Sequence, residues 1–365
     1  MRSNLIKLAS VALATIFAGG VVQAEDRVVN VYNWSDYIDE SILADFTKET
    51  GIKVVYDVFD SNETLETKML AGGSGYDIVV PTGSFLQRQI QAGVFQKLDK
   101  SKLPNLKNMW DEISKQVSVY DPGNDYAIDY MWGTTGIGYN VDKYKEIMGT
   151  DDQPDWNVIF DPEVIAKFKD CGIYMLDAPT ETFPAALNYL GLNPDSKDPA
   201  ELEKAAALLE SIRPNIRKFH SSEYINALAN GDICLALGWS GDVLQARDRA
   251  AEADAGVHVE YSIPKGGALM WFDLMAIPAD AKHVEEAHEF LNYMMKPEVI
   301  AKASNYVFYA NGNKASQEFL DKDVLDDPAI YPTEEAMKKL YTVTPYAPKV
   351  QRIVTRAWTK VVTGQ

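Results

Sequence analysis

The chain has 365 residues, and its 35 Lys and Arg against 53 Asp and Glu give a formal net charge of −18 at neutral pH. Such an acidic surface disfavours nucleic acid and anionic membranes as partners, because both are themselves negatively charged. The length predicts two domains, and an apolar content of 46% is sufficient for two hydrophobic cores.

The first 24 residues have the organisation of a secretory signal peptide. Arg2 and Lys7 lie in a short positive segment that precedes a mainly apolar run over residues 8–22, and Val22 and Ala24 occupy the −3 and −1 positions of a cleavage site. The apolar run is shorter than the roughly 20 residues that span a bilayer, which argues against a membrane anchor. We therefore predict cleavage after Ala24 and a mature protein that works in the periplasm.

Strands and helices alternate in the next 70 residues. Strands are predicted over 27–32, 52–59 and 76–81, and helices over 37–50, 62–71 and 85–92. This order predicts an α/β fold with a largely parallel sheet and helices on both faces. Ligands of such sheets lie beyond the carboxyl ends of the strands, where the loops at Trp34 and Thr82 occur. Ser84 is alternatively a simple cap of the third helix.

A second α/β region extends from about residue 131 to 253. Strands are predicted over 173–176 and 233–237, and helices over 162–169, 199–212 and 224–229, with Asp161 as a cap and Pro162 at the first helical position. The chain then returns through predicted strands at 257–264 and 271–278 and a helix at 284–295.

Two cysteines, Cys171 and Cys234, each begin or lie in an apolar segment. In an oxidising compartment such a pair is most simply a disulfide, although two buried free thiols remain possible. The four His residues form no motif with the spacing of a zinc site, so we predict no metal.

Aromatic and acidic residues occur close together at three distant places in the sequence. These are the runs Asn33 to Tyr37, Gly238 to Asp242 and Trp271 to Asp273. Aromatic faces attract organic cations, and carboxylates accept charge-assisted hydrogen bonds from ammonium groups. Each run alone could equally combine a core Trp with a surface Asp. The three runs indicate a cation site only if the fold brings them together.

Four sequence runs carry a resemblance to the periplasmic polyamine-binding proteins of ABC transporters, and the similarity extends over essentially the whole mature chain. They are VYNWSDYI at 31–38, GYDIVVP at 75–81, MWGTTGIGYN at 131–140 and LANGDIC at 228–234. The resemblance implies a two-lobe periplasmic binding protein fold of type II-like topology, with the ligand in the cleft between the lobes. We predict one lobe from 25–130 and 254–306, and the other from 131–253 and 307–365.

The resemblance also implies the residues of the ligand site. Because buried ammonium ions are costly unless each is paired, the acids are expected to neutralise a polyamine while the aromatic rings cover its alkyl chain. The positions that match the family pattern are Trp34, Ser35, Asp36, Tyr37, Thr82, Glu181, Trp239, Asp242, Trp271, Asp273 and Tyr309.

The predicted function is that of a monomeric receptor that captures polyamines and delivers them to an ABC transporter permease, without catalysis or a cofactor. Trp271 stands where putrescine-preferring relatives tend to have Phe and spermidine-preferring ones Trp, so spermidine is the expected ligand. The alternative is a putrescine-preferring receptor, or a receptor for another small organic cation. Trp271 could also be a packing residue without a role in selectivity.

Two other classes of protein fit the sequence less well. Gly238-Trp239-Ser240-Gly241 resembles the nucleophile turn of hydrolases but lacks the GxSxG spacing. A receptor for amino acids would be expected to use Arg for the ligand carboxylate, and the predicted site positions include none.

Overall fold

The computed structural model describes residues 27–364, so the predicted signal peptide lies outside the described residues. The described chain forms a mixed ten-stranded sheet with helices packed around it. The strands are β1 (Val28–Trp34), β2 (Lys53–Phe59), β3 (Ile78–Val79), β4 (Ala127–Asn140), β5 (Ile173–Met175), β6 (Lys218–Phe219), β7 (Leu235–Trp239), β8 (Val259–Ser262), β9 (Leu269–Ala276) and β10 (Ala310–Asn311).

Sixteen α-helices occur in the described part of the chain, and several short 3-10 turns connect them. The helices are α1 (Glu40–Thr50), α2 (Asn62–Ala71), α3 (Gly83–Gln91), α4 (Asp111–Val117), α5 (Val141–Met148), α6 (Asn157–Phe160), α7 (Pro162–Ile165), α8 (Pro179–Tyr189), α9 (Pro199–Ile212), α10 (Tyr224–Ala229), α11 (Ser240–Ala253), α12 (Val284–Met294), α13 (Pro297–Val307), α14 (Lys322–Leu325), α15 (Glu334–Met337) and α16 (Pro348–Thr363).

The strand order of the sheet is β2-β1-β3-β9-β4-β7-β5-β6, and β8 and β10 also pair with β4. At one end β1 is parallel to β2 and β3, and at the other β5 is parallel to β6 and β7. We call the part around β1–β3 the first lobe and the part around β5–β7 the second lobe. Both ends therefore have the parallel pairing that the alternation of elements predicted.

Strand β4 connects the two lobes and makes the sheet mixed rather than largely parallel. Its residues 127–135 are antiparallel to β9, and residues 135–140 are antiparallel to β7 and β8. All 14 residues of β4 are buried, and the predicted lobe boundary at 130/131 falls inside this strand. The exact division of the chain between the lobes stays a prediction.

Local sequence signals explain where several helices begin. Asp161 accepts hydrogen bonds from the backbone N–H groups of Glu163 and Val164, which confirms it as the cap of α7. Helix α3 begins after Thr82 rather than at the predicted cap Ser84, which lies inside the helix. The Thr82 side chain accepts no hydrogen bond from the first turn of α3. Its hydroxyl instead donates to Asp273.

A disulfide joins Cys171 and Cys234, whose Cα atoms are 5.7 Å apart. The two residues shortly precede the neighbouring parallel strands β5 and β7, so the bridge lies within the second lobe. The prediction of a disulfide is confirmed. Among the described helices, none combines the length and the apolar character needed to cross a membrane.

Candidate functional site

A narrow cavity of about 30 Å³ lies between the two lobes, and we call it the inner cavity. Ten of the eleven residues that the sequence predicted for the ligand site line it, together with three that it did not. The lining consists of Trp34, Ser35, Tyr37, Asp60, Asn62, Thr82, Glu181, Ser221, Trp239, Asp242, Trp271, Asp273 and Tyr309.

The ends of strands and the first turns of helices position these side chains. Trp34 is the last residue of β1, and Trp239 is the last residue of β7. Glu181 and Asp242 lie in the first turns of α8 and α11. Asp273 belongs to β9, a strand with every residue buried. Residues at or just after the carboxyl ends of the parallel strands thus line much of the cleft, as in other open α/β sheets.

Two hydroxyl groups of the first lobe hold Asp273. Tyr37 Oη donates to Oδ2 at 2.8 Å, and Thr82 Oγ1 donates to Oδ1 at 2.6 Å. Asn62 orients Thr82, because its amide donates to the threonine hydroxyl and accepts from the threonine N–H. A carboxylate has about four acceptor sites, so Asp273 retains acceptor capacity for a further donor.

Asp242 is held in the same manner by two tyrosines. Tyr224 Oη donates to Oδ2 at 2.8 Å, and Tyr309 Oη donates to Oδ1 at 2.7 Å. The backbone N–H of Asp242 donates to Tyr309 Oη at 3.1 Å, which closes a small ring of hydrogen bonds. Glu181 is the third buried acid, and it accepts a hydrogen bond from Thr135.

Burial raises the pKa of all three carboxyl groups. The pKa of Asp242 rises to about 6, and those of Glu181 and Asp273 rise to about 7. Hydrogen bonds from the surrounding hydroxyls oppose the rise. The neighbouring acids add to it, since Asp242 acts on Asp273 and Asp273 acts on Glu181. A cation in the cavity would relieve both the desolvation and the mutual repulsion of these groups.

Aromatic rings from both lobes enclose the space between the acids. The rings of Trp34 and Trp239 meet edge to face across the cleft with centroids 5.6 Å apart. Tyr309 has the ring of Tyr37 at 5.2 Å and that of Trp271 at 5.3 Å. Such a set of π-faces can cover the methylene groups of an organic cation and attract its charge.

Two glycines provide the room that these rings need. A Cβ atom at Gly241 would lie 2.4 Å from the ring of Tyr309, and one at Gly133 would lie 2.9 Å from the ring of Trp271. Gly241 belongs to the predicted aromatic–acid run, where it directly precedes Asp242. The glycine of that run therefore has a steric function in the site.

Asp36 differs from the prediction, because its side chain does not line the inner cavity. The residue has a left-handed backbone with φ of 54°, and its carboxylate accepts a hydrogen bond from Arg249 at 2.8 Å. The side chain is 40% exposed. Asp36 still acts on the site from a distance, since its charge contributes to the raised pKa of Asp242.

Asp60, Asn62 and Ser221 line the inner cavity but were missing from the prediction. Asp60 and Asn62 flank the cap of α2, and Ser221 follows β6. For Asp60 and Asn62 the position after the predicted strand 52–59 was the available signal, because loops at the carboxyl ends of strands carry the ligand contacts in this type of sheet. Ser221 follows a two-residue strand that the sequence did not predict. Over residues 27–364, no His, Cys, Asp and Glu side chains are grouped in a way that could hold a metal ion.

Comparison with known proteins gives consistent matches. The chain matches the family described as bacterial extracellular solute-binding protein over residues 41–333. It is 54% identical over 348 residues to the putrescine-binding periplasmic protein PotF of Escherichia coli (strain K12), covering 95% of this chain and 94% of PotF. It is also 54% identical over 359 residues to the putrescine-binding periplasmic protein SpuD of Pseudomonas aeruginosa (strain UCBPP-PA14), covering 98% of both.

A solved structure has the same architecture. The spermidine/putrescine ABC transporter substrate-binding protein PotD from Streptococcus pneumoniae aligns with a TM-score of 0.74 and 31% sequence identity. The alignment covers 92% of this chain and 98% of that protein. The chain therefore shares the fold of this periplasmic binding protein.

Proposed function

Because the chain belongs to the bacterial extracellular solute-binding proteins, within the periplasmic polyamine-binding group of ABC transporters, we propose that it is the receptor for a small aliphatic diamine, with putrescine as the preferred ligand. The protein is periplasmic, and it is a binding protein rather than an enzyme. The single observation that carries the proposal is the set of three buried carboxyl groups around an aromatic cleft.

The charges of the inner cavity suit a dication. Asp242, Asp273 and Glu181 are all buried, and Lys and Arg are absent from the described residues that line the cavity. Two protonated amines can pair with these acids, and each pairing replaces a hydration shell by charge-assisted hydrogen bonds. An anionic or neutral solute would leave the carboxylates without partners, which is unfavourable in a buried site.

The relatives favour putrescine over spermidine as the preferred ligand. Two relatives at 54% identity are putrescine-binding proteins, whereas the spermidine/putrescine-binding relative is 31% identical. The expectation of spermidine as the main ligand, which depended on Trp271 alone, is therefore replaced by its alternative.

Intrinsic tryptophan fluorescence tests the ligand class, because Trp34, Trp239 and Trp271 all line the cavity. We expect putrescine to change the emission in a saturable manner at lower concentration than spermidine does. Arginine, glutamate and maltose are the controls, and none of them should compete with putrescine. Equal responses to putrescine and glutamate would overturn the proposal.

Delivery to an ABC transporter permease follows from membership of the group. We propose that the lobes close on the ligand and that the closed monomer is the form that the permease recognises. Transport of labelled putrescine into cells that lack the receptor gene, with and without its restoration, measures this step.

A further inference from the structure

A second and larger cavity of about 440 Å³ lies beside the inner one, and we call it the outer cavity. The beginning of α2 forms its wall in the first lobe. Segments after β5 and β6 and one face of α16 form its wall in the second lobe. Its lining consists of Asp60, Ser61, Glu63, Thr64, Asp177, Pro179, Phe219, His220, Ser221, Gln351, Thr355, Trp358 and Thr359.

The two cavities adjoin at Asp60 and Ser221, which line both of them. The side chain of Ser221 is buried, with 6% exposure of the residue, and its hydroxyl has no hydrogen-bond partner among the described residues. A buried hydroxyl without a partner is unfavourable. Because the residue lines both cavities, this hydroxyl is available to a molecule that extends from one to the other.

Three acids give the outer cavity a negative charge. Asp60, Glu63 and Asp177 line it, while no Lys or Arg of residues 27–364 does so. Glu63 and Asp177 are both exposed to this space. Arg88, an opposing charge that acts on Glu63, is already paired with Glu66 through a hydrogen bond of 2.6 Å.

Aromatic groups complete the wall of the outer cavity. Trp358 Nε1 donates to Asp177 Oδ1 at 2.8 Å, which fixes both side chains. The ring of Phe219 lies edge to face against Trp358 with centroids 5.4 Å apart. The outer cavity thus repeats the chemistry of the inner one, in which carboxylates lie beside aromatic rings.

The acids of the two cavities form a continuous row. Glu63 is close enough to Glu181 to raise the pKa of that buried carboxyl. Asp177 acts on Glu63 in the same way. A polycation that extends beyond the inner cavity therefore meets further negative charge in the outer one.

We propose that the outer cavity is a second cation subsite, which holds the far ammonium group of a triamine or tetraamine whose other end occupies the inner cavity. The inference rests on the proposed function, because the inner cavity must accept one end of an aliphatic amine. Ser221 accepts a hydrogen bond from the ligand between the two cavities. Glu63 and Asp177 pair with the far amine, and Phe219 and Trp358 cover the intervening methylene groups.

The test is calorimetry of putrescine, spermidine and spermine with the parent and with the double variant Glu63→Gln, Asp177→Asn. These two residues line the outer cavity and not the inner one. Both side chains are exposed, and an amide oxygen at position 177 can still accept the hydrogen bond from Trp358 Nε1. We expect the variant to bind spermidine and spermine about tenfold more weakly, with less than about a twofold change for putrescine.

A matched control removes the same number of charges elsewhere. Glu203→Gln with Glu252→Gln changes two exposed acids outside both cavities, and it should leave all three affinities unchanged. An equal loss for putrescine and spermine in the first variant, or no loss for either, would overturn the subsite. Failure of the parent to bind putrescine would instead overturn the proposed function, so the two outcomes can be told apart. Circular dichroism of each variant verifies that it folds.

Discussion

Tyr37 Oη donates a hydrogen bond to Asp273 Oδ2 at 2.8 Å, although the two residues are 236 positions apart in the sequence. Tyr37 follows the first strand, and Asp273 lies in a strand that returns from the second lobe and pairs with β3 and β4. The contact therefore forms only when the late segment of the chain has joined the sheet of the first lobe. The ligand site is a product of that topology, since no local segment contains it.

Removal of either buried charge should weaken ligand binding strongly. Asp242→Asn or Asp273→Asn is expected to weaken putrescine binding by on the order of 2–5 kcal/mol, because a buried ammonium loses its partner. Calorimetry measures the change. Asp36→Asn is the matched control, since this acid is 40% exposed and paired with Arg249, and its effect should be much smaller. Similar losses in all three variants would show that general acidity, rather than the two buried carboxylates, determines affinity.

Ligand binding should release protons at mildly acidic pH. The pKa values of Asp242, Glu181 and Asp273 are raised to between about 6 and about 7. A dication favours their charged forms and so lowers these pKa values. We expect affinity to decrease as the pH falls from about 7 to about 5. Calorimetry near the pKa of Asp242, in buffers of different ionisation enthalpy, measures the released protons.

The same groups should have the opposite effect on the stability of the ligand-free protein. The pKa values of these groups in the folded state lie above their values of roughly 4 in the unfolded state. Between the two sets of pKa values, the folded state therefore binds more protons than the unfolded state. Their contribution to stability is complete below about pH 4 and is lost as the pH rises through about 7. Thermal unfolding of the parent and Asp273→Asn across this pH range should show a smaller loss in the variant. Parallel curves would contradict the raised pKa of Asp273.

Gly241→Ala should damage both the fold and the site. The added Cβ would lie 2.4 Å from the ring of Tyr309, and the displaced ring could no longer donate to Asp242. Overpacking of this kind costs about 1–3 kcal/mol of unfolding free energy, measurable by urea denaturation. Gly266→Ala is the control, because its nearest contact would be the side-chain end of Asn188 at 3.3 Å. Equal stability of the two variants would show that Tyr309 can move without cost.

Trp271→Phe should change selectivity among polyamines. The indole lines the inner cavity and offers a larger cation-attracting face than a phenyl ring. We expect the variant to lose more affinity for spermidine than for putrescine, because the secondary amine of spermidine adds a positive charge near this ring while its far amine lies in the outer cavity. Competition titrations with both ligands give the ratio. An equal loss for both would identify Trp271 as a general packing residue.

Much of the fold was predictable because local signals agree with it. Helix α9 occupies residues 199–212 as predicted, since Asp198 caps it and Pro199 suits its first position. Strand β4 was not predicted, because a fully buried strand that contains three glycines has neither alternating polarity nor a uniform run of β-branched residues. The mixed pairing of the sheet followed from this strand and was missed with it.

Sequence motifs identified most residues of the site, but they did not indicate how these residues are arranged in space. Aromatic–acid runs and the family resemblance together identified ten residues of the inner cavity. They could not separate Asp36 from Asp242, because each of these acids lies in such a run. Only the left-handed backbone of Asp36 and the position of Arg249 distinguish the two. Ser221 carries no local signal, because its function depends on two lobes that meet at its hydroxyl.

Calorimetric titration of the mature protein with putrescine, at a pH above the raised pKa values of the buried acids, tests the central claim most directly. The account predicts saturable binding of one putrescine per chain, tighter than that of spermidine, with the signal abolished or strongly reduced by Asp242→Asn combined with Asp273→Asn. Absence of putrescine binding by the folded parent, or binding that survives the loss of both carboxylates unchanged, would contradict it.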